Sequence, residues 1–190
     1  MSTVKERLIE ATFHEVFTTG YSAASLSNIL NRAEVKKGAM YHYFPSKKDM
    51  VLAMIDEKLE QRVEKRWKPV IDADGNLIDV LISIIQDTKG FNLTEGCPLG
   101  NLLQESLDQD EDFANILNSI LDKWKEIFTK TLQKAKEKNQ INKNINIVQC
   151  ATFLIASIEG AILLSKKSND NKDFEDCMIQ LTNYLNSLRK

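Results

Sequence analysis

Lys36, Lys37, Tyr41, His42, Tyr43, Lys47 and Lys48 crowd into residues 36–48, a stretch without a single acid. Ammonium groups at both ends suit phosphate oxygens. The phenol and imidazole edges between them suit phosphates or base edges. Gly38 and Ala39 keep the start of the stretch slim, so a helix there can approach a groove closely. Its N-terminal N–H groups and dipole favour an anion. Val35, Met40 and Phe44 recur at the spacing of an inward face and are read as core. The layout is that of a short helix entering a DNA groove.

Such a helix needs a frame, and the flanking sequence supplies helical patterns. Residues 4–18 set Leu8, Thr12 and Val16 on one stripe and Ile9, Phe13 and Phe17 beside it, and Gly20 ends the element. Ser25 is a candidate N-cap for a second helix over 26–32, Ala33-Glu34-Val35 is the turn, and 36–43 is the third helix. Pro45-Ser46 stops it, and Ser46 with Asp49 caps a long fourth helix that runs to about Trp67, where Pro69 is expected to end it. Asp74-Gly75 marks a turn, followed by a helix from Leu77 up to Gly90 and a short one from Pro98 through Leu107. Residues 110–138 carry a long amphipathic stripe, 145–165 are apolar on most faces, and Phe174 to Leu188 alternate steps of three and four. The expected class is all-α, with a three-helix head, a helical body and about nine helices.

Composition agrees. Three prolines and seven glycines in 190 residues disfavour a turn-rich β fold, and 43% hydrophobic residues suffice for a core. Residues 1–50 hold seven Lys/Arg and five Asp/Glu, a local balance of +2, whereas the remainder holds 18 and 22, a balance of −4. The basic end is the one expected to meet a polyanion. The first residues alternate charged and apolar types without the apolar run of a signal peptide. The richest apolar run, 147–164, is interrupted by Gln149, Thr152, Ser157 and Glu159 and reads as a buried helix. Cys97, Cys150 and Cys177 are odd in number and far apart, which implies no disulfide framework, no metal cluster and a reducing, cytoplasmic compartment. No phosphate loop, Gly-x-Ser-x-Gly, His-Glu-x-x-His or dinucleotide fingerprint is present, so neither an enzyme nor a cofactor is expected.

The first 60 or so residues resemble the TetR family of bacterial transcriptional regulators. The matching text is Arg7-Leu8-Ile9-Glu10-Ala11, Gly20-Tyr21, Ser25-Leu26 with Ile29, and Val35 through Lys47, close to the pattern G-V-S-K-G-A-L-Y-H-H-F-x-S-K. Gly96-Cys97-Pro98-Leu99-Gly100-Asn101-Leu102 with Gln104-Glu105 is similar to a body segment of one subgroup. The resemblance implies a helix-turn-helix domain over 1–48 and an effector-binding and dimerisation domain over 49–190. The helix over 36–43 would lie in the major groove. Ser25, Lys36, Lys37, Gly38, Ala39, Tyr41, His42, Tyr43 and Lys47 are the DNA-binding candidates. Three residues depart from the pattern. Glu34 stands where a turn glycine is usual, Lys36 replaces a serine, and Ala24 replaces a threonine that would bring a phosphate-directed hydroxyl.

The resemblance also implies a homodimer on a palindromic operator, paired through helices over about 145–166 and 173–188. Ile155, Ile158, Ile162, Met178, Leu181 and Leu185 are the interface candidates. A small hydrophobic or aromatic effector would release the repressor, with Met54, Trp67, Phe91, Cys97, Leu102, Trp124, Phe128 and Phe153 as candidate pocket walls. Two alternatives stay open: an electrophile- or oxidant-sensing thiol at Cys97, placed where a helix dipole would favour thiolate, and a helical adaptor that no longer binds DNA.

Overall fold

The computed structural model describes residues 2–106, 110–166 and 170–190. Helices α1 (Val4–Thr19), α2 (Leu26–Ala33), α3 (Lys37–Tyr43) and α4 (Lys47–Met54) come first. A π-helical turn, Ile55–Leu59, joins α4 without a break to α5 (Glu60–Asp72). There follow α6 (Leu77–Gln86), a 3-10 turn (Thr88–Gly90), α7 (Pro98–Ser106), α8 (Glu111–Glu137), α9 (Ile147–Ser165) and α10 (Lys172–Ser187). With α4, the π turn and α5 taken as one rod, the described residues form nine α-helical rods. Their only β pairing is an isolated bridge between Ile141 and Arg189.

Local chemistry explains most boundaries. Thr3 and Glu6 form a reciprocal capping box at α1, and Ser25, Ser46, Asn76 and Asn146 each accept from a backbone N–H in the first turn of their helix. Each such cap contributes about 1 kcal/mol. Gly20 closes α1 at φ 84°, a conformation that a side chain would strain. Glu34 closes α2 in the left-handed region, at φ 54° and ψ 43°, where glycine was expected to be preferred.

Two expectations about helix ends need correction. Pro69 does not end its helix but lies inside the last turn of α5. Pro69 and Lys65 are both exposed, which leaves the carbonyl that the ring displaces on the solvent side of the helix, and burial of Val70 on the other side favours one more turn. Helix α6 stops at Gln86 rather than reaching Gly90, which belongs to the separate 3-10 turn. The expected end of α7 at Leu107 lies outside the described residues.

The chain divides into two compact units. One comprises Met1–Arg62 with Pro98–Ile120, the other Val63–Cys97 with Leu121–Lys190. This partition differs from a cut at residue 48, because α4, the π turn and the 98–120 segment belong with the head. In the first unit α1 packs on α2 and α4. Leu8, Ile9, Ile29, Met40, Met50, Val51 and Phe113 are almost completely buried there. The π turn keeps Ile55 and Leu59 inward, while Glu57 and Lys58 pair with Lys5 and Glu10 of α1.

In the second unit α10 packs along α9 and α6. Helix α9 is long and apolar enough to cross a membrane by length and composition, with mean hydropathy 2.0. That composition also suits a helix with one face in its own core and an apolar outer face. Leu154, Ile158 and Ala161 point inward, whereas Val148, Phe153, Leu163 and Leu164 are exposed.

Candidate nucleic-acid interface

Helix α3 is anchored from below and bare above. Met40 is fully buried and Phe44 nearly so. Lys36, Lys37, Gly38, Ala39, Tyr41, His42 and Tyr43 are exposed, with Tyr41 at 47% and Tyr43 at 44%. Lys36 occupies the N-cap position, where its side chain makes no capping bond, so its ammonium is not drawn into closing the helix. The Lys37 ammonium lies 5.8 Å from the Tyr41 ring centroid, and His42 meets Tyr43 edge to face at 5.2 Å. A Cβ on Gly38 would meet nothing within 4 Å, so the chain's own packing does not require glycine there.

Other expected contacts serve the frame. The Ser25 hydroxyl accepts from the Asn28 N–H at 3.4 Å, capping α2, and its own N–H donates to Glu15. Lys47 was expected to meet phosphate, but its ammonium donates to the carbonyls of Tyr21 and Ala24, both at 3.0 Å, and lies 4.7 Å from the Tyr21 ring centroid. It therefore ties the α1–α2 connection to the start of α4. Lys48 is paired with Asp110 at 2.7 Å and Asp112 at 2.6 Å. The hydrogen bonds that it donates to both carboxylates raise its pKa, so this cation too is committed within the chain. Of the four lysines in residues 36–48, Lys47 and Lys48 are thus engaged within the chain, whereas Lys36 and Lys37 are exposed on the α3 side.

Two carboxylates with no signal in the local sequence pattern complete the frame. Glu105 of α7 accepts from the backbone N–H groups of Tyr21 and Ser22, each at 2.8 Å. A Cβ at Gly20 would come within 2.9 Å of its Oε2, so the close fit depends on glycine. Burial pushes the Glu105 carboxyl up, but the Ser22 and Tyr21 bonds and the Lys47 charge outweigh it, leaving the pKa below the ordinary value. Glu15 is buried and takes the Ser25 N–H at 3.1 Å and the Asn28 amide at 2.9 Å through one oxygen. An acid at i−10 or i+84 from its partner leaves no periodic trace. Glu105 stood out only as part of the body segment with a family likeness.

The expected pocket walls fall in both units. Trp67, Phe91, Trp124 and Phe128 come together in the second unit: Trp67 stacks on Trp124 at 5.9 Å and meets Phe128 at 4.8 Å and Phe91 at 6.4 Å. Met54 and Leu102 are buried but belong to the first unit. Phe153 lies apart from the Trp67 cluster and lines an open depression with Cys150, Tyr184 and Leu188. It is exposed on α9 and rests on Tyr184 at 4.7 Å, because its neighbours Leu154 and Ile155 take the inward positions. Cys97 directly precedes α7 as expected, and its thiol donates to Glu159, whose carboxyl is pushed up by burial.

The six interface candidates also need correction. Ile155, Ile158, Ile162, Met178, Leu181 and Leu185 are all buried within the chain itself. The outward apolar residues of the same helices are Val148, Phe153, Leu163, Leu164 and Ile179.

A braced helix-turn-helix whose last helix bares cations and phenols, in a chain with a second helical unit of aromatic interior, defines a DNA-binding regulator. Comparison with known proteins specifies the kind. The family described as "Bacterial regulatory proteins, tetR family" matches residues 8–54, and the "Tetracyclin repressor-like, C-terminal domain" matches 75–181. An uncharacterized HTH-type transcriptional regulator of Lactococcus lactis is 30% identical over 170 residues, 87% of this chain and 85% of that protein. The HTH-type transcriptional repressor DhaR of a Mycobacterium species is 28% identical over 167 residues, 86% of this chain and 82% of its own. The crystal structure of a TetR transcriptional regulator from Chloroflexus aurantiacus shares the fold with a TM-score of 0.87 at 22% identity, covering 98% of this chain and 96% of that one. The chain belongs to the TetR family. It is a ligand-responsive DNA-binding transcriptional regulator, and its relatives are regulators rather than enzymes.

Proposed function

We propose that the protein is a cytoplasmic homodimeric repressor that holds a palindromic operator through two copies of α3 and leaves it when a small hydrophobic or aromatic effector binds the second unit. One observation carries the DNA part: the solvent side of α3 presents Lys36, Lys37, Tyr41, His42 and Tyr43 without an acid, over a fully buried Met40. A short helix reads few base pairs, so a twofold pair of heads on a symmetric site is the economical solution.

The outer face of α9 supports the pairing. Val148, Phe153, Leu163 and Leu164, the last at 62% exposure, lie across the exposed arc of α9, and the small residues Thr152, Ala156 and Gly160 within that arc leave room for a close helix crossing. An apolar strip on this scale favours burial against a second copy. The cluster of Trp67, Phe91, Trp124 and Phe128 supports an aromatic effector.

The test is a mobility-shift titration of the purified chain on the DNA upstream of its own gene. A discrete shifted species, competed by the same duplex and not by random DNA, is expected. No shift at low ionic strength would leave only a helical ligand-binding adaptor.

A further inference from the structure

Among the described residues, two buried N–H groups of the second unit lack an acceptor. Trp124 is 4% exposed, and its Nε1–H finds no partner. The Nε–H of Arg66 is also buried and unmatched, although the same guanidinium donates to the carbonyls of Ile84 and Asp87 and to the Asp87 carboxylate. Both groups flank one ring. Trp124 stacks on Trp67 at 5.9 Å with 23° between the planes, and the Arg66 guanidinium carbon lies 5.8 Å from the Trp67 centroid and 4.2 Å from that of Phe91. Gly90 is required for this placement, since a Cβ there would collide with the guanidinium. Buried donors are nearly always matched, so two unmatched ones around one indole need a physical reason. Burial lowers the Arg66 pKa despite Asp87, which marks its charge as poorly solvated.

We infer that the cluster around Trp67 receives the effector, and that the effector is a planar, unsaturated molecule with an oxygen acceptor, carbonyl or carboxylate, for the Trp124 and Arg66 N–H groups. This rests on the reading of the second unit as effector-binding and names the ligand class. The indoles and Phe128 favour a flat conjugated skeleton by stacking. Donors without acceptors discriminate against a ligand that brings only further donors. An ammonium group would face a guanidinium and leave both N–H groups unmatched.

The sequence contains two tryptophans, and both lie in this cluster, so intrinsic fluorescence reports on it directly. The full chain is titrated with cinnamate, cinnamamide and cinnamylammonium, which share a skeleton and differ in the terminal group. Saturable quenching by at least one of the two acceptors is expected, and the order of the two tells a carboxylate site from a neutral carbonyl site. The ammonium compound should bind at least tenfold more weakly. Trp124→Phe keeps a ring and removes the N–H; Arg66→Lys keeps the charge and removes Nε. Each should collapse the preference for the acceptor over the ammonium compound, a ratio that general loosening of the core does not move. If Trp124→Phe fails to fold, Arg66→Lys gives the same readout. Equal binding of all three compounds, no saturable quenching by either acceptor, or an unchanged ratio in the variants would overturn the inference and assign the donors to water. In any of these cases, operator release by some other compound would leave the regulator reading standing. Failure of the parent to bind operator would instead remove that reading.

Discussion

The two compact units share charged grips on backbone groups and differ in how their rings are gathered. In the first, charged side chains grip backbone groups: Glu105 takes two N–H groups of the α1–α2 connection, Lys47 binds two carbonyls beside them, and Arg7 donates to the Ala33 carbonyl at 3.0 Å. In the second, Lys134 likewise binds the Ile71 and Ala73 carbonyls, but the interior also stacks rings on rings and α9 offers an apolar face outward. Charged hydrogen bonds are directional and fix a recognition helix in one pose. Aromatic packing is less directional and tolerates a guest, so damage to the two units should fail in different ways.

The largest effect belongs to the outer face of α9. Leu164→Glu should leave the fold intact, because the side chain is exposed, yet place a charge in the proposed dimer seam. Sedimentation should then find a monomer, and operator affinity should fall by about 10²–10⁴ as two linked heads become one. Dimers that survive this change would move the seam elsewhere. Glu105→Gln comes next. The amide can accept only one of the two N–H groups, so urea unfolding should show a loss of about 1–3 kcal/mol, with weaker operator binding. The folded carboxyl titrates below its ordinary 4.5. Its contribution is therefore complete above about that pH and is lost as pH falls through the lower folded value, so parent and variant should converge in acid.

Smaller changes separate stability from recognition within the first unit. Glu34→Gly should stabilise the head by about 1 kcal/mol in thermal unfolding, because the left-handed backbone at that turn costs a side chain. A destabilised Glu34→Gly would mean that the glutamate makes a compensating contact. Gly38→Ala should add about 0.5–1 kcal/mol of helix stability, since nothing in the chain contacts the new methyl. Operator affinity should fall at the same time, because the methyl occupies the space where DNA approaches. Unchanged affinity would place the DNA away from the start of α3.

The sequence made legible what depends on neighbours along the chain. Ser25 and Ser46 cap as their positions predict, Met40 and Phe44 point inward by spacing, and Glu34 adopts the conformation its place in the turn demands. What depended on distant partners was hidden. Lys47 and Lys48 look like phosphate ligands until the Tyr21 and Ala24 carbonyls and the 110–112 carboxylates are placed beside them. The same holds for the last two helices. Periodicity identified an apolar stripe at Ile155, Ile158 and Ile162 but not whether it faces its own chain or a partner. Because α9 is apolar on most sides, only the fold shows that these residues turn inward and Leu163 and Leu164 outward. Pro69 misled because a proline breaks a helix only where the displaced carbonyl has no alternative partner.

The central claim is that the exposed face of α3 lies against the phosphates and bases of a duplex. The salt dependence of operator binding by the parent and by Lys37→Ala tests it most directly, because a lysine seated on a phosphate displaces a condensed counterion and an alanine displaces none. The slope of log affinity against log salt should become shallower by about 0.9 in the variant. Parallel slopes, with or without a change in affinity, would mean that Lys37 meets no phosphate and that this face of α3 does not carry the DNA.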